Sequence, residues 1–187
     1  WRQPEDGRAR QAGQGSEELN SGRLHGVGIG LRARHYGDFL RARPDVGWVE
    51  VHAENYFGAG GLDRHVLERV RERWPVSVHG VGLGIGSVDG FSERHLGRLR
   101  GVVDWIAPLL VSEHLAWNAV AERTLNDLLP LHRTREALEL VVERVDRVQD
   151  ALRRPILLEN LSAYVALEGH EMRESEFLAQ VVRRTGC

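Results

Sequence analysis

Residues 48–79 read WVEVHAENYFGAGGLDRHVLERVRERWPVSVH, and they contain one complete strand–helix–strand unit. The β-rich runs at 48–54 and 76–79 predict two short strands. Between them, a glycine-rich loop leads into a segment where apolar residues recur every four positions from Leu62 to Trp74, which is the spacing of one helix face. Strands and helices that alternate in this way form parallel sheets with right-handed crossovers.

The same alternation continues on both sides of this unit. Further strands are predicted at 27–31, 109–114 and 156–160, and further helices around 35–43, 92–106, 134–152 and 177–182. Ser92 and Thr134 are the predicted N-caps of two helices, and the segment with Trp117, Asn126 and Asp127 is predicted to be a long loop. Five strand–helix units fit a doubly wound open sheet or a (β/α)8 TIM barrel. A barrel needs about 250 residues, so we predict an α/β TIM barrel of which this 187-residue chain holds about the first five units.

The two ends of the chain differ from its middle. Residues 1–23 are polar, glycine-rich and aperiodic, so they are predicted to be a disordered lead-in. Residues 24–187 are predicted to be the N-terminal part of the barrel domain. The chain stops directly after a predicted helix, where a parallel fold continues with a strand. We therefore expect a truncated barrel that is poorly stable alone, because an open barrel exposes apolar strand edges.

Composition and motifs argue against several functional classes. Hydrophobic residues make up 42% and charged residues 28% of the chain, which is typical of a globular protein. The formal net charge of −2 argues against nucleic-acid binding by phosphate neutralisation. No apolar run approaches the roughly 20 residues that cross a bilayer, so we expect no membrane partner and a cytoplasmic location. The one cysteine, Cys187, rules out an intrachain disulfide and a cysteine-ligated metal site. Neither a Walker A pattern nor a G-x-S-x-G elbow occurs.

Polar side chains lie at the carboxyl ends of four successive predicted strands, the edge where parallel α/β folds build their active sites. They are His52, Glu54 and Asn55, then His79, then Glu113 and His114, then Glu159 and Asn160. Imidazole and carboxylate together suit iron, manganese or zinc. A single histidine in such a position is usually structural, but four strand ends together favour metal binding. The six other histidines, including His95, fall on helices or loops and are interpreted as surface or packing residues.

The alternation of side chains along a strand orders some of these residues. Glu50, His52 and Glu54 share one predicted strand face, and an ionised glutamate inside a barrel is costly unless it is paired or metal-bound. Alternation alone leaves two choices open: Glu113 or His114, and Glu159 or Asn160.

Five segments resemble one known family. They are residues 50–57 (EVHAENYF), 77–83 (SVHGVGL), 112–117 (SEHLAW), 126–131 (NDLLPL) and 158–160 (LEN). The family is the multinuclear non-heme iron-dependent oxidases, and the resemblance runs from about Gly26 to the last residue. Within the family, the chain is most similar to the branch encoded beside the small cysteine-containing precursor peptides called bufferins.

The resemblance implies a TIM barrel with two or three iron ions of mixed valence. It implies oxidation by O2 of cysteine residues in a ribosomally made precursor peptide, which a partner protein presents. Matching the motifs residue by residue implies the metal ligands His52, His79, Glu113, Glu159 and Asn160. It implies that Glu54, Asn55 and His114 are further ligands or orient the ligands by hydrogen bonds. Trp117 lies beside the proposed site in the sequence and is expected either to line a substrate channel or to pack under a loop. Because the expected later strands are absent, we expect the chain alone to be inactive.

Two alternatives stand beside this hypothesis. One is a divalent-metal barrel enzyme of the sugar-isomerase or endonuclease-IV-like type, which also places histidine and glutamate at strand ends. The other is a non-enzymatic remnant that keeps part of the site. Metal identity and O2 dependence separate the first alternative from the oxidase, and metal stoichiometry tests the second.

Overall fold

The computed structural model describes residues 24–121, 123–162, 164 and 167–187. The predicted lead-in at 1–23 lies outside the described residues. The strands are β1 (Gly28–Gly30), β2 (Trp48–His52), β3 (Val76–His79), β4 (Leu110–His114), β5 (Trp117–Val120), β6 (Arg123–Leu129) and β7 (Leu157–Glu159). The α-helices are α1 (Tyr36–Arg41), α2 (Leu62–Arg71), α3 (Glu93–Ile106), α4 (Arg135–Leu152) and α5 (Glu174–Thr185). Short 3-10 turns occupy Ala33–His35 and Ala53–Tyr56.

Five parallel strands form the central sheet in the order β1-β2-β3-β4-β7. Each strand lies beside the strand of the preceding unit, which is the order in which a (β/α) barrel grows. The predicted α/β class and the five strand–helix units are therefore confirmed. Among the described residues, β1 and β7 do not pair with each other, so the barrel is not closed.

The helices pack on one face of this sheet through apolar residues that recur every three or four positions. In α3, Leu99 and Ile106 are almost fully buried, as are Val141 and Val145 in α4. The predicted caps are also confirmed, because each hydroxyl accepts a hydrogen bond from a backbone N–H three residues later. No helix in the described part of the chain combines the length and the apolar character that crossing a membrane requires.

Two local features differ from the prediction. The segment predicted as a long loop contains the antiparallel hairpin β5–β6. Its β5 strand is held by the Ser87 hydroxyl, which accepts hydrogen bonds from the backbone N–H groups of Asn118 and Ala119 at 3.1 and 3.2 Å.

Strand β2 ends at His52, two residues earlier than predicted, and Glu54 lies in the following 3-10 turn. Glu54 is therefore not a strand residue, and its predicted alternation with Glu50 and His52 does not apply.

Candidate metal centre

The strand register aligns polar residues on the sheet face opposite the helices. His52 lies beside His79 in the β2–β3 ladder, and His114 lies beside Glu159 in the β4–β7 ladder. Ser112 lies beside His79 in the β3–β4 ladder, so His114 is two residues further along the same face. The opposite face carries buried valines such as Val78, which pack under the helices.

Three of these side chains converge. Nε2 of His79 lies 3.2 Å from Nε2 of His114. Oε2 of Glu159 lies 3.6 Å from the first nitrogen and 3.8 Å from the second. All three potential ligand atoms lie within 4.8 Å of one another. Two imidazoles and one carboxylate form the donor set typical of non-heme iron, and they also suit zinc or manganese.

The environment keeps the histidines suitable as ligands. Burial lowers the pKa of His114, and the neighbouring His79 lowers it further. Burial, Arg32 and His79 likewise lower the pKa of His52. The Ser112 hydroxyl lies 2.7 Å from Nδ1 of His79 and can hold the proton on that nitrogen, which leaves Nε2 free for a metal. The ring of His52 stands edge-on to that of His79, with the centroids 5.7 Å apart.

Glu54 is an ionised carboxylate held by three donors. Its Oε1 atom accepts the backbone N–H groups of Val81 and Gly82 at 2.9 and 2.8 Å, and Nε2 of His95 lies 3.1 Å away. Burial alone would raise the pKa of Glu54, but these hydrogen bonds together lower it to about 2. The carboxylate is therefore charged at neutral pH.

Glu113 has the opposite character. It lies on the helix-facing side of β4, in line with Val111 rather than with His114, and it is 1% exposed. Burial raises the pKa of Glu113 to about 8. Its Oε1 atom accepts the backbone N–H of His114 at 2.9 Å, and Oε2 faces Gly80.

The other predicted site residues lie around the three converging side chains. Asn55 is exposed at the rim of the main cavity. The Asn160 amide donates to Glu174 at 2.7 Å, which ties it to helix α5. The indole N–H of Trp117 donates to the carbonyl of Pro130 at 2.9 Å, so this side chain braces the hairpin.

A cavity of about 720 Å³ opens above the strand ends. His52, Glu54 and Asn55 line one side of it, and residues 124–128 of the hairpin line another. Leu161, Ser162 and Tyr164 also line the cavity, as do residues of the loop after β3. The hairpin that was predicted as a loop therefore contributes a wall of the candidate site.

Unpaired polar atoms concentrate at these strand ends. Among the described residues, four buried side-chain atoms have no hydrogen-bond partner. Three of them belong to this region: Glu54 Oε2, Glu113 Oε2 and His114 Nδ1. Buried polar atoms are normally satisfied, so such a cluster indicates a place where a bound ion or ligand completes the contacts.

His95 was predicted to be a surface or packing residue, and the structure places its imidazole against the Glu54 carboxylate. The only local signal was its position three residues after the N-cap Ser92, which puts the imidazole on the first turn of α3. That position does not predict a contact with a residue 41 positions earlier in the chain.

Comparison with known proteins agrees with the motifs. Residues 26–187 match the profile of the family described as RiPP precursor modification enzyme MbnB/TglH/ChrH, where RiPP denotes a ribosomally made and then modified peptide. A UPF0276 protein of Chromobacterium violaceum is 56% identical over 165 residues, which cover 88% of this chain and 59% of the relative. A UPF0276 protein of Anaeromyxobacter is 49% identical, over 88% of this chain and 58% of the relative.

A solved structure supports the fold. The apo form of the E. coli 3-keto-D-glucoside 4-epimerase YcjR superposes with a TM-score of 0.53 at 14% identity, over 86% of this chain and 64% of that one. At this identity the likeness concerns the fold alone. The chain thus spans 59% and 58% of the length of the two relatives above. By its profile match and these identities, it belongs to the MbnB/TglH/ChrH family of RiPP precursor modification enzymes.

Proposed function

We propose that this protein is a multinuclear non-heme iron-dependent oxidase that modifies cysteine residues of a ribosomally made precursor peptide with O2. The observation that carries the proposal is the convergence of His79, His114 and Glu159 at the strand ends of a chain from this family. A precursor peptide is the substrate class that the family description names. A peptide-presenting partner protein and a cytoplasmic location belong to the same proposal, because ferrous iron and reduced cysteine both need a reducing compartment.

The residues present fit a bound iron ion. Two imidazoles and a carboxylate match the preference of iron, and buried polar atoms without a hydrogen-bond partner lie in the same region. His79, His114 and Glu159 would hold one ion, and His52 and Glu54 would contribute to a second. The ligand roles of Glu113 and Asn160 remain predictions. Glu113 lies on the other sheet face, and Asn160 is bonded to Glu174.

Iron held at this place would supply redox chemistry with O2 and a Lewis acid for the cysteine sulfur. The chain itself performs the positioning. The Ser112 hydroxyl can hold the proton of His79 on Nδ1, and burial lowers the pKa of His114. The cavity above has the volume of a site for a ligand of several hundred daltons, which suits a short peptide segment. Asn55 and Asn126 line it with amide groups that can both donate to and accept from a peptide main chain.

Metal content tests the proposal directly. The chain would be expressed with added iron, purified without air, and analysed by plasma mass spectrometry beside a His79→Ala/His114→Ala variant. A His65→Ala/His132→Ala variant is the matched control, because both of its histidines are exposed and outside the site. We expect iron in the unaltered chain and in the control, and its loss from the site variant.

Addition of O2 and a cysteine-containing precursor peptide then tests the reaction, with the peptide mass as readout. A mass change that needs iron and O2 supports the oxidase. Bound zinc or manganese without any O2 consumption would favour the divalent-metal barrel alternative instead. Equal iron in the site variant and the unaltered chain would remove the basis of the proposal.

A further inference from the structure

His95 sits where the start of helix α3 meets the loop after strand β3. The Ser92 hydroxyl caps α3 by accepting the backbone N–H of His95 at 3.3 Å, which fixes the first helical turn. The imidazole packs edge-on against Phe57, with the ring centroids 5.0 Å apart. Gly82 leaves room for this approach, because a Cβ atom there would lie 3.0 Å from Cε1 of His95. The orientation of the ring is therefore determined from three sides.

The ring nitrogen completes the set of donors around one oxygen of Glu54. Oε1 accepts from Val81 and Gly82 and lies 3.1 Å from Nε2 of His95, so its lone pairs are fully used. Oε2 of the same carboxylate is buried and has no hydrogen-bond partner among the described residues. Glu54 also lines the main cavity together with His52. Oε2 is therefore the oxygen of Glu54 that remains without a partner and available to a ligand.

We propose that His95 is a positioning residue, which locks the Glu54 carboxylate so that Oε2 is offered to a divalent cation beside His52. The inference rests on the proposed function for the presence of that cation. A charged, buried oxygen without a donor is costly, and a cation relieves the cost. Without the imidazole, two backbone donors remain on Oε1, and the carboxylate can turn about its terminal bond. Hydrogen bonds that orient a ligand in this way typically change metal affinity by about 10–100-fold.

The test compares two variants at this position with a matched control. His95→Phe keeps an aromatic ring beside Phe57 and removes the donor, and His95→Gln keeps an N–H donor. His65→Phe makes the same change at an exposed helical histidine outside the site. Co²⁺ replaces iron as the probe, because its affinity follows from competition with a coloured chelator and its visible spectrum reports the geometry. Amide hydrogen exchange of Val81 and Gly82 is measured in the metal-free chain.

We expect His95→Phe to weaken Co²⁺ binding by about 10–100-fold and to speed exchange at Val81 and Gly82, since their acceptor is no longer held in place. His95→Gln should restore most of both properties, and His65→Phe should change neither. A residue that only packs would lower the melting temperature without changing the Co²⁺ spectrum or affinity.

Each contrary result has a separate meaning. Unchanged exchange in His95→Phe overturns the positioning of Glu54, whatever the metal does. Faster exchange with unchanged Co²⁺ affinity overturns the link to the cation. If the unaltered chain takes up no Co²⁺, the proposed function loses its metal site and this inference is overturned with it. If the unaltered chain and His95→Phe bind Co²⁺ equally, the inference alone is overturned.

Discussion

Replacement of Ser112 by alanine tests whether the hydroxyl orients His79 for the proposed metal. The Ser112 hydroxyl lies 2.7 Å from Nδ1 of His79, and the imidazole is 7% exposed. A histidine that binds through Nε2 carries its proton on Nδ1, so the hydroxyl must accept that hydrogen bond. In Ser112→Ala the Nδ1–H group stays buried without this acceptor, and the ring can flip or change tautomer.

The expected magnitude has two parts. In the metal-free chain, losing the hydrogen bond and leaving its donor buried costs about 1–3 kcal/mol of unfolding free energy. For metal binding, loss of an orienting hydrogen bond lowers affinity by about 10–100-fold, which corresponds to about 1.4–2.8 kcal/mol. The second effect is separable from the first, because affinity is measured on the folded chain.

Ser77→Ala is the matched control. Ser77 lies on the same sheet face and is 3% exposed, but its hydroxyl donates to Glu50 at 3.4 Å instead of bonding to His79. Both variants and the unaltered chain would be titrated with Co²⁺ against a chelator and unfolded in urea without metal. We expect Co²⁺ affinity to fall in Ser112→Ala only. Equal Co²⁺ affinity of the two variants would refute the role assigned to Ser112.

Three further predictions concern stability. Gly80→Ala should lower the unfolding free energy by about 1–3 kcal/mol, because the added Cβ would collide with Oε2 of Glu113. Gly97→Ala adds a Cβ in open space on α3 and should raise the unfolding free energy by up to about 1 kcal/mol. Changes of the same sign in urea unfolding would contradict this pair of predictions. Phe177→Ala should lower the unfolding free energy by about 3–5 kcal/mol, because the ring in α5 is buried. Val182 in the same helix is 47% exposed, so Val182→Ala should change it by no more than about 0.5 kcal/mol. Similar urea midpoints for the two variants would contradict the burial of Phe177. When the free metal concentration is about a hundred times the dissociation constant, removing the metal with a chelator should lower the unfolding free energy by about 2.7 kcal/mol. An unchanged melting temperature would count against a metal site in the folded chain.

The order of strands and helices could be predicted because it depends on short-range patterns. Apolar residues recur every three or four positions in α3 and α4, which predicts that Leu99 and Val145 share the buried face of their helices, and both are buried. The caps at Ser92 and Thr134 were predictable for the same reason, since a cap and its N–H lie three residues apart. The exception is Leu62, which fits the helical spacing yet is 69% exposed because it begins the helix rather than covering the sheet.

The hairpin could not be predicted from local pattern alone. Its position depends on Ser87, which lies about thirty residues earlier and accepts two of its N–H groups. The loop that carries Ser87 is itself held from α4 by Arg144, which donates to the carbonyls of Ile85 and Val88 at 3.0 Å each. The wall of the cavity therefore depends on contacts between distant segments, and no spacing within residues 117–129 encodes them.

The choice between neighbouring polar residues has the same origin. Side chains alternate across a strand, so Glu113 and His114 must point to opposite faces, and the sequence does not say which one faces the cavity. The structure makes that choice through the offset between strands: His79 lies beside Ser112, which puts His114 on the face of His79, and the β4–β7 ladder brings Glu159 to the same face. A slip of one residue between β3 and β4 would exchange His114 for Glu113 and dissolve the three-residue cluster. The buried valines oppose that slip, because it would turn Val111 out of the core and place Ser112 under the helices. The same hydrophobic packing that stabilises the sheet therefore also determines which side chains form the candidate metal centre.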